Sequence, residues 1–374
     1  MALQIGIVGL PNVGKSTLFN ALTQAGAAVA AYPFTTIEPN QGTVAVPDPR
    51  LEALATMVGP EQVTPATVEF VDIAGLVRGA HRGEGLGNQF LGHIRNVDAI
   101  ALVCRCFEDP DVAHVDGKVD PLRDLGVLDL ELTLADLETV ERRLDKVRSV
   151  AKAKPRDHAA ELKALETLHA RLEAGERVPS GERLEAALAQ EMQLLTAKKR
   201  IYVANVGEED LPDGGQWVEE IARLAREEGA SHLVLCAQLE ADLSDWPPDE
   251  AADYRAEIGR SPVGVNAPAG LEHSGLVALA KAGHEVLDLI TFFTITGGRE
   301  VRAWPIPRGT KAAQAAGKVH SQMEQGFIRA EVVHFEQLVA VGNWQKTREQ
   351  GILRVEGRDY EVQDGDVCLF RFSP

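Results

Sequence analysis

The sequence predicts an α/β protein. A doubly wound, mostly parallel sheet is expected, split by a helical coiled-coil insertion and followed by a small α+β domain. Three observations carry that expectation. Short apolar runs of four to six residues, each followed by polar or glycine residues, recur at Leu3–Val8, Val68–Val71, Ala99–Cys104, Ile201–Ala204 and His232–Leu235. Buried strands of a parallel sheet read this way. Helical stretches such as Ser16–Ala25 and Gly214–Glu228 lie between them, and strands alternating with helices build an α/β sheet. Between about Leu125 and Lys199 the alternation stops, glycines almost vanish and charges crowd.

That interruption has its own periodicity. Leu130, Leu134, Leu137, Leu144 and Val147 recur at spacings of three, four or seven, and Leu162, Leu165, Leu168 and Leu172 do the same after Pro155. Two long amphipathic helices forming an antiparallel coiled-coil-like hairpin are expected. Pro179-Ser180-Gly181-Glu182 then opens a third helix that returns to the sheet. The texture changes again after about Glu285. Phe292–Thr296 and Val301–Trp304 read as strands joined at Gly297-Gly298, Lys311–Met323 as a helix, and Ile328–Val333 and Val367–Phe372 as further strands.

Composition bounds the function. At 374 residues, 45% hydrophobic and 25% charged, the chain is of ordinary globular make-up and long enough for two or three domains. No run approaches the ~18 apolar residues that cross a bilayer. Met1-Ala2-Leu3-Gln4-Ile5 runs straight into a strand with no signal-peptide pattern. The four cysteines, Cys104, Cys106, Cys236 and Cys368, form no CxxC pair, which argues against a disulfide framework or a zinc site and for a reducing cytoplasm. A net charge of −18 argues against wholesale non-specific binding to nucleic acid. The charge is uneven, however: Thr291–Pro374 carries net +1 against −19 for the remainder. That contrast hints at a separate module with its own partner.

The chemistry begins at Gly9-Leu10-Pro11-Asn12-Val13-Gly14-Lys15-Ser16, a GxxxxGK[ST] motif followed by Thr17. A strand precedes it and a helix follows, the context a phosphate loop needs. Gly9 and Gly14 let the backbone curl so that several N–H groups face one anion, and the helix adds its positive end. Lys15 is expected to reach the β- and γ-phosphates and Ser16 to ligate Mg²⁺. Asp72 ends a strand and is followed by Ile73-Ala74-Gly75. It is expected to hold Mg²⁺ through water, while the Gly75 N–H bonds the γ-phosphate and senses hydrolysis. In the intervening Tyr32–Asn40 segment, Thr35 and Thr36 are both candidates to close on the metal. Leu76 stands where signalling GTPases place a water-orienting glutamine. Hydrolysis is therefore slow, or another group positions the water.

Guanine-specific relatives of this motif set carry N-K-x-D after a late strand. Here Asn205-Val206-Gly207-Glu208 stands there. Lysine is replaced by Val206 and aspartate by the longer Glu208, and a buried polar recognition pair does not survive such a change. Adenine offers an acceptor at N1 where guanine offers a donor, so a backbone group at Val206 suits adenine. ATP is favoured, with GTP kept open. Cys236-Ala237 is expected to form the loop under the base.

Together these residues resemble the YchF-type ATPases of the Obg group, within the translation-factor class of P-loop NTPases. The resemblance rests on Gly9–Thr17, Tyr32–Pro39, Asp72–Gly87 and the altered base motif at Asn205, and it also covers the coiled-coil insertion. Arg299–Ile306, Gly309–Met323, Gly326–Val332 and Asp364-Gly365-Asp366 resemble a TGS domain. It implies a split nucleotide-binding G domain over 1–124 and 200–285, the coiled-coil insertion over 125–199 and a TGS domain over 286–374. It implies phosphates wrapped by Asn12, Val13, Gly14, Lys15, Ser16 and Thr17, and Mg²⁺ held by Ser16 and Thr36. It also implies adenine against Val206, K⁺ assistance with Asn12 as ligand, and His114 as a substitute for the missing glutamine. Ribosomes, through the large subunit or ribosomal RNA, are the implied partner. No membrane role is expected, and a monomer is. The leading expectation is a slow ATPase switching on the ribosome. A nucleotide-regulated RNA-binding protein in which hydrolysis is incidental, and an ordinary GTPase, compete with it.

Overall fold

The computed structural model describes residues 3–30, 41–73, 75, 79, 86–115, 117–178, 183–212, 214–258 and 274–373, with the backbone alone at 25–30, 86–89 and 248. In chain order the elements begin with β1 (Gln4–Val8), α1 (Lys15–Ala30), β2 (Gln41–Val46), α2 (Pro49–Val58), β3 (Gln62–Thr64) and β4 (Ala66–Asp72). Next come α3 (Leu86–Asn96), β5 (Ala99–Cys106), α4 (Pro121–Ala151), α5 (Pro155–Glu173) and α6 (Leu184–Glu191). They continue with β6 (Lys199–Val206), α7 (Val218–Glu228), β7 (Ser231–Leu235), α8 (Ala237–Leu243), α9 (Pro248–Glu257) and α10 (Gly275–Val286). The last are β8 (Leu289–Thr296), β9 (Glu300–Pro307), α11 (Ala312–Val319), α12 (Ser321–Gln325), β10 (Phe327–His334), α13 (Phe335–Val341), α14 (Trp344–Glu349), β11 (Arg354–Glu356) and β12 (Asp366–Phe372).

Two compact units emerge. One holds the described residues of 1–21, 41–42 and 70–245, the other those of 22–30, 43–69 and 246–373. In the first, strands run in the order β1-β5-β6-β7, with the Phe70–Asp72 end of β4 beside β1, and β1–β5, β5–β6 and β6–β7 pair in parallel. Every residue of β5 is buried, as a central strand covered on both faces must be. This is the α/β fold that the alternation of runs predicts. Helix starts follow local chemistry. Asp120 caps α4 by accepting from the Arg123 N–H, and Pro121 occupies the first turn, where its missing N–H costs nothing. α7 begins at Val218, not at Gly214 as expected, because Gly214 and Gly215 adopt φ of +87° and +70°.

α4 and α5 form the expected hairpin, joined by three residues. Val140, Leu144 and Val147 of α4 bury against Leu165, Leu168 and Leu172 of α5, with Leu188 and Ala189 of α6 completing the cluster. Arg143–Glu161 and Arg148–Glu166 ion pairs flank it. Leu130, counted in the expected stripe, is instead 55% exposed. The buried face of that half of α4 runs through Leu125, Leu128, Leu132 and Ala135. It also carries the carboxylate of Asp136, which accepts from the Leu195 and Thr196 N–H groups and the Thr196 hydroxyl, each at 2.8 Å. A polar anchor at this position sets the helix rotation that a leucine count alone misreads.

The second unit has a sheet in the order β11-β10-β12-β8-β9-β3. Phe292, Trp304, Ile306, Val332 and Phe370 form its core with α11. The helix expected over Lys311–Met323 breaks at His320, whose extended backbone (φ −160°, ψ 136°) caps α12. β3 pairs in parallel with β9 in this unit, Gln62 opposite Glu300. The sequence predicts no strand at Gln62–Thr64.

Candidate nucleotide site

β1 ends at Val8 and α1 starts at Lys15, so the GxxxxGK[ST] residues bridge a strand and a helix. Two glycines are required by contact. A Cβ at Gly9 would lie 2.6 Å from the Val103 carbonyl oxygen, and one at Gly14 would lie 2.2 Å from Asn205 Nδ2. Gly14 also has φ of +91°. Lys15 is only 7% exposed. Its ammonium turns back to donate to the Leu10 carbonyl at 2.7 Å. Burial lowers its pKa to about 8, with Asp72 pulling the other way. Asp72, half-buried at the end of β4, has its own pKa raised by burial, opposed by the Lys15 charge. A Cβ on residue 75 would come within 3.1 Å of Lys15 Nζ, so glycine there leaves the ammonium room.

The base end is assembled from sequence-distant loops. Asn205, 3% exposed at the end of β6, donates through Nδ2 to the Val13 carbonyl and accepts through Oδ1 from the Ala237 N–H, both at 2.9 Å. One amide therefore staples the phosphate loop to the start of α8. Cys236 caps α8, its sulfur accepting from the Leu239 N–H. A cavity of about 450 Å³ unites Asn12, Gly14, Lys15, Ser16 and Thr17 with Asn205, Val206, Glu208, Cys236 and Ala237. It opens at the carboxyl ends of parallel strands, where open α/β sheets bind ligands. Val206 is 2% exposed, and Glu208 is exposed.

Other residues line the cavity without having been singled out in the sequence. Phe107, Asp109 and Val112 come from the loop after β5, and Gln238, Leu239 and Asp242 from α8. Arg105, 2% exposed, shapes the first of these loops. Its guanidinium donates to the carbonyls of Phe107, Asp109 and Val112 and lies 4.7 Å from the Phe107 ring centroid. The position of the segment just past a central strand is the one signal that could have pointed to it.

The remaining expected residues are placed unevenly. Val13 takes part through its carbonyl. Asn12, at φ +62°, donates to the Ala113 carbonyl at 3.0 Å. His114, next in the chain, does not line the cavity. Its Nε2 lies 2.9 Å from Asp124 Oδ2, and both side chains are about 5% exposed. Thr35, Thr36 and Leu76 lie outside the described residues. Among the described residues no cluster of three or more His, Cys, Asp or Glu could hold a metal by itself, and no helix is long and apolar enough to cross a membrane.

Residues 4–138 match a family described as 50S ribosome-binding GTPase. Residues 289–373 match the C-terminal family of YchF GTPases, described as a protein of unknown function. The ribosome-binding ATPase YchF of Bacillus subtilis is 47% identical over 377 aligned residues, covering 100% of both chains. Its namesake from Escherichia coli O157:H7 is 46% identical over 375, again covering 100% of both. Among solved structures, the Schizosaccharomyces pombe YchF GTPase aligns with a TM-score of 0.86 at 34% identity, over 99% of this chain and 97% of that one.

Proposed function

This chain belongs to the YchF family, and we propose that it is a P-loop ATPase that binds the ribosome and acts there as a nucleotide-dependent switch. The nucleotide half of this reading rests on one cavity that joins the phosphate loop to the loops at Asn205 and Cys236, and the ribosomal half on relatives named ribosome-binding ATPase YchF. In the proposed complex, backbone N–H groups from Asn12 to Thr17 ring the phosphates. The Lys15 ammonium leaves the Leu10 carbonyl for the β- and γ-oxygens, and the Gly75 N–H meets the γ-phosphate. The Ser16 hydroxyl and the Asp72 carboxylate are hard oxygen donors that suit Mg²⁺, an ion that takes few protein ligands and keeps water and phosphate oxygens. Thr36 completes that set. When bound, Mg²⁺ neutralises charge developing on the transferred phosphoryl group.

ATP is preferred to GTP because Val206 brings no side-chain donor where guanine-specific proteins carry lysine, and Glu208 is a poor substitute for the guanine-reading aspartate. Asn205 positions both loops against the base. Turnover is slow because Leu76 cannot hold water. Asn12 would hold a K⁺ ion, which would supply further positive charge to the phosphates, and His114 would orient water once its ring leaves Asp124. A ribosomal partner implies a cytoplasmic location.

Equilibrium competition between ATP and GTP, followed by turnover with and without purified ribosomes, tests the whole. ATP outcompeting GTP, with ribosomes raising the rate, is expected. GTP binding tenfold tighter, a ~1.4 kcal/mol preference, would overturn the base assignment. No sedimentation with ribosomes would overturn the partner.

A further inference from the structure

The loop between β5 and α4 is held from two sides. Its first half is fastened to the nucleotide site. Arg105 donates to the carbonyls of Phe107, Asp109 and Val112, and Asn12 of the phosphate loop donates to the Ala113 carbonyl. Its second half is fastened to α4. Arg123 donates to the Lys118 carbonyl at 2.7 Å, and Asp120 accepts from the Arg123 N–H at 3.0 Å. Between the halves the chain turns at Gly117, at φ +76° with nothing within 4 Å of where a Cβ would stand. His114 sits at this junction, and its ring reaches across to Asp124 in the first turn of α4.

The contact is close and buried. His114 Nε2 lies 2.9 Å from Asp124 Oδ2, with side chains 5% and 4% exposed. Oδ1 accepts from Arg123 Nε and Nη2 at 3.2 and 3.0 Å, so the carboxylate is braced from its other side. A carboxylate only accepts, so the Nε2 proton is committed to Asp124, and the ring stays outside the cavity. α4 grips the site a second time. Glu131, 4% exposed, accepts from the Gly79 N–H at 2.6 Å, four residues past Gly75. Asp124 and Glu131 are seven apart, hence on one face of the helix. That helix is 31 residues long, about 46 Å, and its far half forms the hairpin with α5.

We propose that Asp124 is a positioning residue that holds His114 out of the nucleotide site, and that a shift of α4 releases the ring and switches hydrolysis on. It rests on the reading of His114 as the group that orients water, and adds the residue that controls it. In the resting chain only a small fraction carries a released ring, and turnover is scaled by that fraction. A partner raises the fraction by binding the shifted α4 better than the resting one. Loss of the Asp124 charge raises it with no partner present. A merely structural pair predicts the opposite sign, because breaking it would loosen the loop that brings Phe107, Asp109 and Val112 to the cavity.

The test measures steady-state ATP hydrolysis by the full-length protein for wild type, D124N, H114A and the double variant, with and without ribosomes. D124N keeps the side chain's shape and weakens its hold. Without ribosomes it should raise kcat roughly tenfold, equivalent to ~1.4 kcal/mol of restraint removed, with KM unchanged. The double variant should match H114A, because Asp124 acts only through His114. Ribosomes should stimulate D124N by a smaller factor than wild type. Diethyl pyrocarbonate labelling of His114, followed by peptide mass spectrometry, should be several-fold faster in D124N and needs no turnover. R123Q removes the brace at a partly exposed position and should move both readouts the same way, which keeps the test readable should D124N fail to fold. An unchanged or slower D124N, a double variant as fast as D124N, equal labelling of His114, or an equal ribosomal stimulation factor overturns the proposal. A slow H114A beside a D124N that behaves as wild type discards Asp124 and leaves His114 the water-orienting group. H114A at the wild-type rate, with and without ribosomes, discards that reading and this proposal with it.

Discussion

Raising the pH from 7 to 9 isolates what Lys15 does. Its ammonium is buried and bonded to a neutral carbonyl at 2.7 Å, and burial brings its pKa from 10.5 to about 8. A triphosphate placed on it would restore a value near the ordinary one. In the free protein roughly nine chains in ten then carry the charge at pH 7 and about one in eleven at pH 9. The bound form stays charged at both. MgATP affinity should therefore fall roughly tenfold over that interval, about 1.4 kcal/mol, with uptake of about one proton at pH 9. Stability has the opposite sign. The folded pKa lies below the unfolded one, so between about pH 8 and 10.5 the unfolded chain holds more protons. The nucleotide-free fold gains stability as pH rises through that window, by at most about 3 kcal/mol. Calorimetry at pH 9 in two buffers of different ionisation heat reads the proton directly. A Lys15→Met variant should bind weakly with no proton uptake. Equal affinities at pH 7 and 9, with equal heats in both buffers, would refute the assignment of Lys15 to the phosphates.

Three further outcomes are expected. Asn205→Ala strands the Val13 carbonyl and the Ala237 N–H. It should cost ~2–4 kcal/mol of stability and more than tenfold in ATP affinity, and a melting temperature within a degree of wild type would contradict the staple. Leu165→Ala, at a position 0% exposed in the hairpin cluster, should cost ~2–5 kcal/mol in chemical denaturation while ATP affinity stays unchanged; a loss of ATP affinity in the folded variant would count against separate roles. His114→Ala should slow ribosome-stimulated turnover, and wild type should turn over faster in K⁺ than in Na⁺. Equal rates in the two salts remove the cation beside Asn12, and an unchanged variant rate removes His114.

The phosphate loop was legible because its information is local. Gly9 and Gly14 are set by the tight curl of one loop, and a strand before it and a helix after it are read from neighbouring residues. The hairpin was legible for a related reason: a stripe at helical spacing needs only a partner helix three residues away. Its rotation was not. Leu130 faces outward because Asp136 is drawn to N–H groups at Leu195 and Thr196, about 60 positions along the chain, and no periodicity within α4 records that.

What only the tertiary structure decided is pairing between distant residues. Asn205 reads as a remnant of a base-recognition motif, yet its amide also joins Val13 to Ala237. His114 is an unremarkable loop histidine until Asp124 comes within 2.9 Å. Gln62–Thr64 is too short and polar to announce a strand, and becomes one beside Glu300–Arg302. Arg329, Arg348 and Arg371 are scattered charges in the sequence, and one buried carboxylate, Glu331, makes them a cluster. The physical reason is common to all four. Backbone curl and amphipathic period depend on residues a few positions apart, which the sequence displays. A buried polar group must find its partner wherever the fold brings one, and that address is written only in three dimensions.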